Sequence, residues 1–287
     1  MKKILGIIAS PRKLGNSEII IKEIAGLSGV DHELSLLRLN DFDIKPCLGC
    51  YQCLFRAEGC VLKDDFPLVV DAMAKADAWI VAAPTYVLGA NASLKRLLDR
   101  GLGFYKRGRE LWKKPAIGIA IAGMEGKEGY SKLNVDSFLR LFMSDVKASV
   151  IMYGALPGEI LIPLENRRTA EILGKALFGE ALPATGPVCP LCGGDTFRFM
   201  DDKKIRCMVC SNAGTFSVES GKPVFNIESS GHDLFLTEED ALTHKAWLSS
   251  MKERFLAHKD EMKAITRKFK NTGVWIRPPA SSENPEE

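Results

Sequence analysis

Eight cysteines are the residues of this 287-residue chain best placed to do chemistry, and they form two groups with none left over. The first is Cys47, Cys50, Cys53 and Cys60; the second is Cys189, Cys192, Cys207 and Cys210. The apolar stretch near the N-terminus, Ile4 to Ala9, is too short for a signal-peptide core. Close Cys-x2-Cys spacing in such a chain favours metal sites over disulfides. In the first group three thiolates two residues apart can wrap one face of a cubane while Cys60 closes it, which suits a four-iron, four-sulfur (4Fe-4S) cluster. Zinc or redox-active thiols are the competing readings there. In the second group two Cys-x2-Cys knuckles stand 14 residues apart, the pattern of a zinc ribbon with four thiolates in tetrahedral array. A mononuclear iron site uses similar knuckles; Ser211 in place of glycine after the second knuckle disfavours it.

Three further segments hold candidate binding groups. Ser10 to Ser17, Ser-Pro-Arg-Lys-Leu-Gly-Asn-Ser, lacks both the dinucleotide fingerprint and the Walker pattern. It offers the hydroxyls of Ser10 and Ser17, the Asn16 amide, the Arg12 guanidinium and a helix N-terminus. Together these suit a phosphate monoester. A polar turn that merely caps a helix is the plainer alternative. Pro84-Thr85-Tyr86 and Gly89 follow an apolar run, and an aromatic there could stack on a flat ring or be a half-buried aromatic. Gly123-Met124 opens a glycine-rich stretch to Gly129 whose backbone amides can approach a ligand closely, or which is a surface loop. No residue pattern names a catalytic acid or base. Arg12, Lys13 and Arg100 read as solvated or phosphate-pairing cations, and the four histidines are scattered.

The elements that must position these residues alternate. Lys3–Ala9 is a continuous apolar run, and it, Glu33–Leu39, Ala78–Ala83, Ala116–Ala122 and Lys147–Tyr153 read as strands. Helical spacing covers Glu18–Leu27, Phe66–Lys75, Ala92–Asp99, Ser131–Met143 and Arg167–Leu177. Five strands interleaved with helices predict an α/β fold, a parallel sheet with helices on both faces. Ligands of such sheets lie beyond the strand carboxyl ends, where the loops at Ser10, Pro84 and Gly123 fall. Composition shifts near Pro183. Residues 1–182 are expected to form the α/β domain, with the cysteine-rich loop 47–60, and 187–230 a small zinc-ribbon-like β module. A C-terminal helix over 237–271, N-capped by Thr237, and a disordered tail at 278–287 complete the chain.

The loop at Ser10–Ser17 resembles the FMN phosphate loop of the NADPH-dependent FMN reductase family, residue by residue. The Pro-x-Tyr at Pro84–Tyr86 and the helix ending in Asp99-Arg100 resemble that family too. The likeness covers about residues 1–180. It implies a flavodoxin-like five-stranded sheet, with Ser10, Arg12, Asn16 and Ser17 on the FMN phosphate. Pro84, Thr85, Tyr86, Gly89, Gly123 and Met124 would then lie along the flavin. The first cysteine group resembles the compact motif of the family's iron-sulfur flavoprotein branch, which implies a 4Fe-4S cluster that exchanges electrons with FMN. Because that branch brings a cluster near a neighbour's flavin, the resemblance also implies a homo-oligomer.

The net charge of +3, with 26% charged residues, gives no field directed at nucleic acid, and no run reaches the roughly 20 apolar residues of a membrane helix. A cytoplasmic flavin-dependent oxidoreductase is expected, with NAD(P)H or a redox protein as its partner and neither nucleic acid nor membrane. Two other readings stay open. One is an NAD(P)H-dependent FMN or quinone reductase whose first cysteines are structural. The other is a redox-sensing regulator that docks through the ribbon.

Overall fold

The computed structural model describes residues 1–276; the tail expected to be disordered at 278–287 lies outside them. Residues 1–245 form one compact body and the residues from Ala246 another. The first body opens with β1 (Lys2–Ile8), α1 (Asn16–Gly26), β2 (His32–Arg38), α2 (Phe66–Lys75), β3 (Ala78–Tyr86), β4 (Gly89–Ala90), α3 (Ala92–Asp99) and α4 (Gly108–Leu111). It continues through β5 (Pro115–Ala122), α5 (Ser131–Leu141), β6 (Asp145–Tyr153) and α6 (Leu164–Ala176). Five strands pair in parallel in the order β2-β1-β3-β5-β6, with two-residue β4 antiparallel to β3. This is the flavodoxin-like α/β sheet expected from the sequence.

Strand alternation sends residues of one run to opposite faces, and both faces are covered. Leu5, Ile7, Trp79, Val81 and Ala83 pack with Val69, Met73, Leu94, Leu97, Phe138 and Phe142 of the α2, α3 and α5 side. Ile4, Ile8, Ile80 and Ile119 pack with Ile20, Ile24 and Leu173 of α1 and α6. Each such aliphatic side chain contributes about 1.5–3 kcal/mol by leaving water. The Trp79 indole N–H, buried within this packing, donates to the Met73 carbonyl at 3.1 Å. At Gly174 the α6 helix passes so near α1 that a Cβ would lie 2.7 Å from the Leu27 backbone. The strand order reverses between β1 and β3, which opens a crevice beyond their carboxyl ends.

Beyond a connecting segment, β7 (Phe197–Phe199), β8 (Lys204–Cys207), β9 (Ala213–Glu219) and β10 (Lys222–Ile227) form an antiparallel sheet in the order β10-β9-β8-β7. Its small core is the four cysteines of the second group with Ile205, Val209 and Ile227, and Leu133 of α5 packs against it. Lys132 of α5 ties the same two parts, with Nζ 2.8 Å from Asp136 and 2.9 Å from Asp195.

The helical stretch expected over 237–271 is two helices, α7 (Glu238–Ala257) and α8 (Lys259–Phe269), parted at His258. Thr237 closes a reciprocal cap with Asp240: the Asp240 N–H donates to Thr237 Oγ1 and the Thr237 N–H to Asp240 Oδ2. No helix among the described residues is long and apolar enough to cross a membrane.

Candidate functional site

β1 ends at Ile8, and the chain leaves the sheet through Ser10–Gly15 into α1. Gly15 occupies the N-cap in extended backbone and no side chain caps the helix; its carbonyl accepts from the Glu18 and Ile19 N–H groups at 3.0 Å each, which leaves the N–H groups of Asn16 and Ser17 open at the helix start. Ser10 and Ser17 are buried beside them, and Ser10 Oγ accepts from the Arg12 N–H at 3.3 Å. An uncapped eleven-residue helix with two adjacent hydroxyls is a cradle for an anion.

The loop is braced from two sides. Glu18, nearly buried, accepts from the Leu14 N–H at 2.9 Å and pairs with Lys22 and Arg38 at 2.6 Å each. The Lys22 contact foremost, with Leu14 and Arg38, holds its carboxyl below the usual range despite burial. On the other side Asn16 Nδ2 donates to the Gly154 carbonyl at 2.9 Å. Its Oδ1 accepts from the N–H groups of Gly158 and Ile160 at 3.0 and 3.4 Å. Arg12 Nη1 donates to the Ala155 carbonyl at 3.3 Å. The side chains of Asn16 and Arg12, read as phosphate ligands, thus reach the loop after β6.

Pro84, Thr85 and Tyr86 leave β3 at the neighbouring strand end, next to β1 in the sheet. Thr85 Oγ1 is buried with no hydrogen-bond partner among the described residues, a polar atom that a ligand in the crevice could satisfy. Tyr86 is half exposed. The two-residue turn to Gly89 places both Val87 (φ 48°) and Leu88 (φ 66°) in the left-handed region. That conformation suits Asn-Gly rather than a β-branched residue. Gly89 admits the ring of Tyr130, which a Cβ would meet at 2.8 Å, and Tyr130 N–H donates to the Leu88 carbonyl at 2.7 Å. Gly123 and Met124 begin the exposed loop after β5, the next strand along.

The first cysteine group follows β2. Cys47 and Cys50 are exposed, Cys53 and Cys60 half-buried. All four line one cavity of about 190 Å³, closed by Leu48, Val61, Leu62, Leu102 and Arg100. One water needs only about 10–15 Å³ of such space, so the cavity is larger than a single ion requires. Among the described residues the thiols gathered within 4.8 Å of one another are those of the second group. The first-group thiols instead line a cavity wider than one ion. Burial first, then the charges of Cys60 and Cys50, pushes the Cys53 thiol up.

Arg100 is not the solvated or phosphate-pairing cation that its sequence context suggested. Its side chain is 2% exposed and pairs at 2.6 Å with the side chain of Asp64, which is 0% exposed. It also donates to the Lys45 carbonyl at 2.9 Å and lies 4.4 Å from the centre of the Phe66 ring. Burial alone would raise the Asp64 carboxyl, but the Arg100 hydrogen bond and the N–H groups of Lys45 and Phe66 outweigh it and hold it low. Asp64 lies 36 residues from Arg100, and no local pattern marks the pair.

In the second group Cys189 Sγ lies 3.9 Å from Cys210 Sγ, and Cys192 Sγ 3.5 Å from Cys207 Sγ. A tetrahedral ion with metal–sulfur bonds of about 2.3 Å needs sulfur–sulfur edges of about 3.8 Å, so the four buried thiols fit one zinc. Sulfurs this close share protons: Cys189 is pushed down, foremost by its contact with Cys192, and Cys192 is pushed up by the same contact. The knuckles match in backbone. Gly193 (φ 72°) follows Cys192 as Ser211 (φ 63°) follows Cys210, and the Gly194 N–H donates to Cys192 Sγ at 3.4 Å.

The chain matches the family model described as NADPH-dependent FMN reductase over residues 2–155. It is 29% identical to an iron-sulfur flavoprotein of Methanocaldococcus jannaschii, over 49% of this chain and 72% of that protein. It is 34% identical to an iron-sulfur flavoprotein of Methanosarcina thermophila, over 42% of this chain and 63% of that protein. A solved flavone reductase superposes with a TM-score of 0.74 at 20% identity, covering 96% of this chain and all of the other; that likeness speaks to fold. With the phosphate-type cradle at the sheet's switch point and a family match across more than half its length, the chain belongs to the NADPH-dependent FMN reductase family and is an FMN-dependent oxidoreductase.

Proposed function

We propose that the protein transfers electrons between FMN held at the strand ends of residues 1–182 and a 4Fe-4S cluster held by Cys47, Cys50, Cys53 and Cys60. A zinc ion on Cys189, Cys192, Cys207 and Cys210 would staple the module at 187–230. When bound, FMN would exchange a hydride or two electrons and the cluster one electron at a time. The observation that carries the reading is the single cavity lined by all four cysteines of the first group, with a dry cation in its wall. The relatives named as iron-sulfur flavoproteins support it.

The chain's own residues would bind and orient. The open first turn of α1, with Ser10 and Ser17, would take the phosphate, while Asn16 and Arg12 hold that loop against residues 154–160. Thr85 Oγ1 would donate to or accept from a polar edge of the ring system, and Tyr86, Gly89, Gly123 and Met124 would flank it. Electrons would enter from NAD(P)H or a redox protein. Val87, Leu88, Met124, Tyr130 and Leu156 present apolar surface on the loops beyond the strand ends, which supports a homo-oligomer that covers them.

Anaerobic purification followed by metal analysis and an optical spectrum tests this reading. About four irons and one zinc per chain, with broad visible absorption over the flavin bands, are expected. A yellow protein with zinc and no iron would replace it with a reductase whose first cysteines are structural. A protein that stays colourless after incubation with FMN would remove the flavin itself.

A further inference from the structure

Around the first cysteine group, charge is arranged unevenly. Arg100 lines the cavity together with Cys47, Cys50, Cys53 and Cys60, whereas its partner Asp64 does not reach it. Both side chains are dry, at 2% and 0% exposure. The pair therefore forms a fixed dipole whose positive end faces the thiols, in a wall whose side chains include Leu48, Val61, Leu62 and Leu102. The other charged residue on the wall, Asp99, is half exposed, so water screens it more than it screens the guanidinium. Arg100 is held by the Lys45 carbonyl and the Phe66 ring as well as by Asp64, so it cannot swing into solvent without breaking all three contacts.

We infer that Arg100 is the positioning cation that favours the reduced state of the cluster proposed for this cavity, with Asp64 setting how strongly it does so. The inference rests on the cluster reading above. Four thiolates with a 4Fe-4S core of charge 2+ carry a net charge of −2, and uptake of one electron makes it −3. No bond forms or breaks and no proton needs to move, so the step is an added negative charge next to a fixed positive one. Because the guanidinium is itself dry, its field is screened less than that of a surface cation, and nearby charges and hydrogen bonds at cluster sulfurs are among the factors that set potential. The same asymmetry predicts opposite effects for the two partners. Removing the cation hinders reduction, while neutralising the anion behind it helps.

The test is an anaerobic reductive titration of the full chain, followed by electron paramagnetic resonance and with iron counted in each sample. Arg100→Gln is expected to shift the one-electron equilibrium about tenfold against reduction, which is 59 mV. Arg100→Lys, which keeps the charge, is expected to recover part of that shift. Asp64→Asn is expected to move the midpoint the other way. A purely structural role predicts lost iron or a common direction for both partners. Arg100→Gln with full iron and an unmoved midpoint would overturn the role of Arg100 and leave the cluster reading intact. Should Arg100→Gln lose its iron, Asp64→Asn decides: an upward midpoint supports the role, and an unmoved or lowered one removes it. A wild-type protein without iron would remove the cluster and this role together.

Discussion

Asn16 and Ser17 sit side by side at the start of α1 yet face different tasks. Ser17 is buried beside the open amides of the first turn, whereas the Asn16 amide makes three hydrogen bonds to the loop after β6. Single variants separate the two. Ser17→Ala is expected to weaken FMN about tenfold or more and to leave riboflavin, which lacks the phosphate, unchanged in a binding titration. Asn16→Ala is expected to cost about 2–3 kcal/mol of stability and to weaken both flavins, because it frees the loop rather than removing one phosphate contact. Loss of FMN affinity alone in Asn16→Ala, at full stability, would return Asn16 to the phosphate. The spacing of the cysteines was legible in the sequence because ligands two residues apart must share a site whatever surrounds them. The partners of Asn16 and Arg100 were not, because they lie 138 and 36 residues away and only the folded sheet brings them together.

The strands of the parallel sheet were readable because a strand buried on both faces must be apolar at every position, as Ile4 to Ile8 and Ala78 to Ala83 are. β8 and β10 were not, since Lys-Ile-Arg-Cys is only four residues long and Lys-Pro-Val-Phe-Asn-Ile exposes most of its residues; both gain order by pairing with β9. The turn between β3 and β4 also broke a local rule. Val87 and Leu88 both adopt left-handed backbone, and Val87 is 95% exposed, so its side chain gains little packing among the described residues to offset the strain. Replacing the pair by Val87→Asn with Leu88→Gly is expected to raise stability by about 1–2 kcal/mol, read as a higher urea midpoint. A lower midpoint would mean that the two side chains are buried against another copy. In that case the same variant would also lower the oligomer's mass in light scattering at equal concentration.

At the scale of the whole molecule, the groups proposed to hold the flavin and the second cysteine group belong to separate cores. The sheet is packed on its two faces by the clusters around Phe138 and Ile20, while the ribbon has its own around Cys207 and Ile205. On α5 the contacts that join them include Leu133 against the ribbon core, Lys132 between Asp136 and Asp195, and Arg140 beside Gly193. Three buried aliphatic residues and four thiols, with Phe197, Phe216, Phe225 and Leu236 partly buried against them, are a small core for four short strands, and the zinc proposed there would supply the remainder, as in small zinc modules. Removing two ligands, in Cys189→Ser with Cys210→Ser, is therefore expected to release about one zinc per chain and open residues 183–230 to limited proteolysis. The inner face of α5, Val135, Phe138 and Leu139, stays packed on the sheet in that variant. FMN affinity should then change less than about twofold, because no group at the strand ends has lost a partner. A large fall in FMN affinity, with the sheet still cooperative in denaturation, would show instead that the ribbon acts on the flavin through α5 and the loop at Gly123 that precedes it.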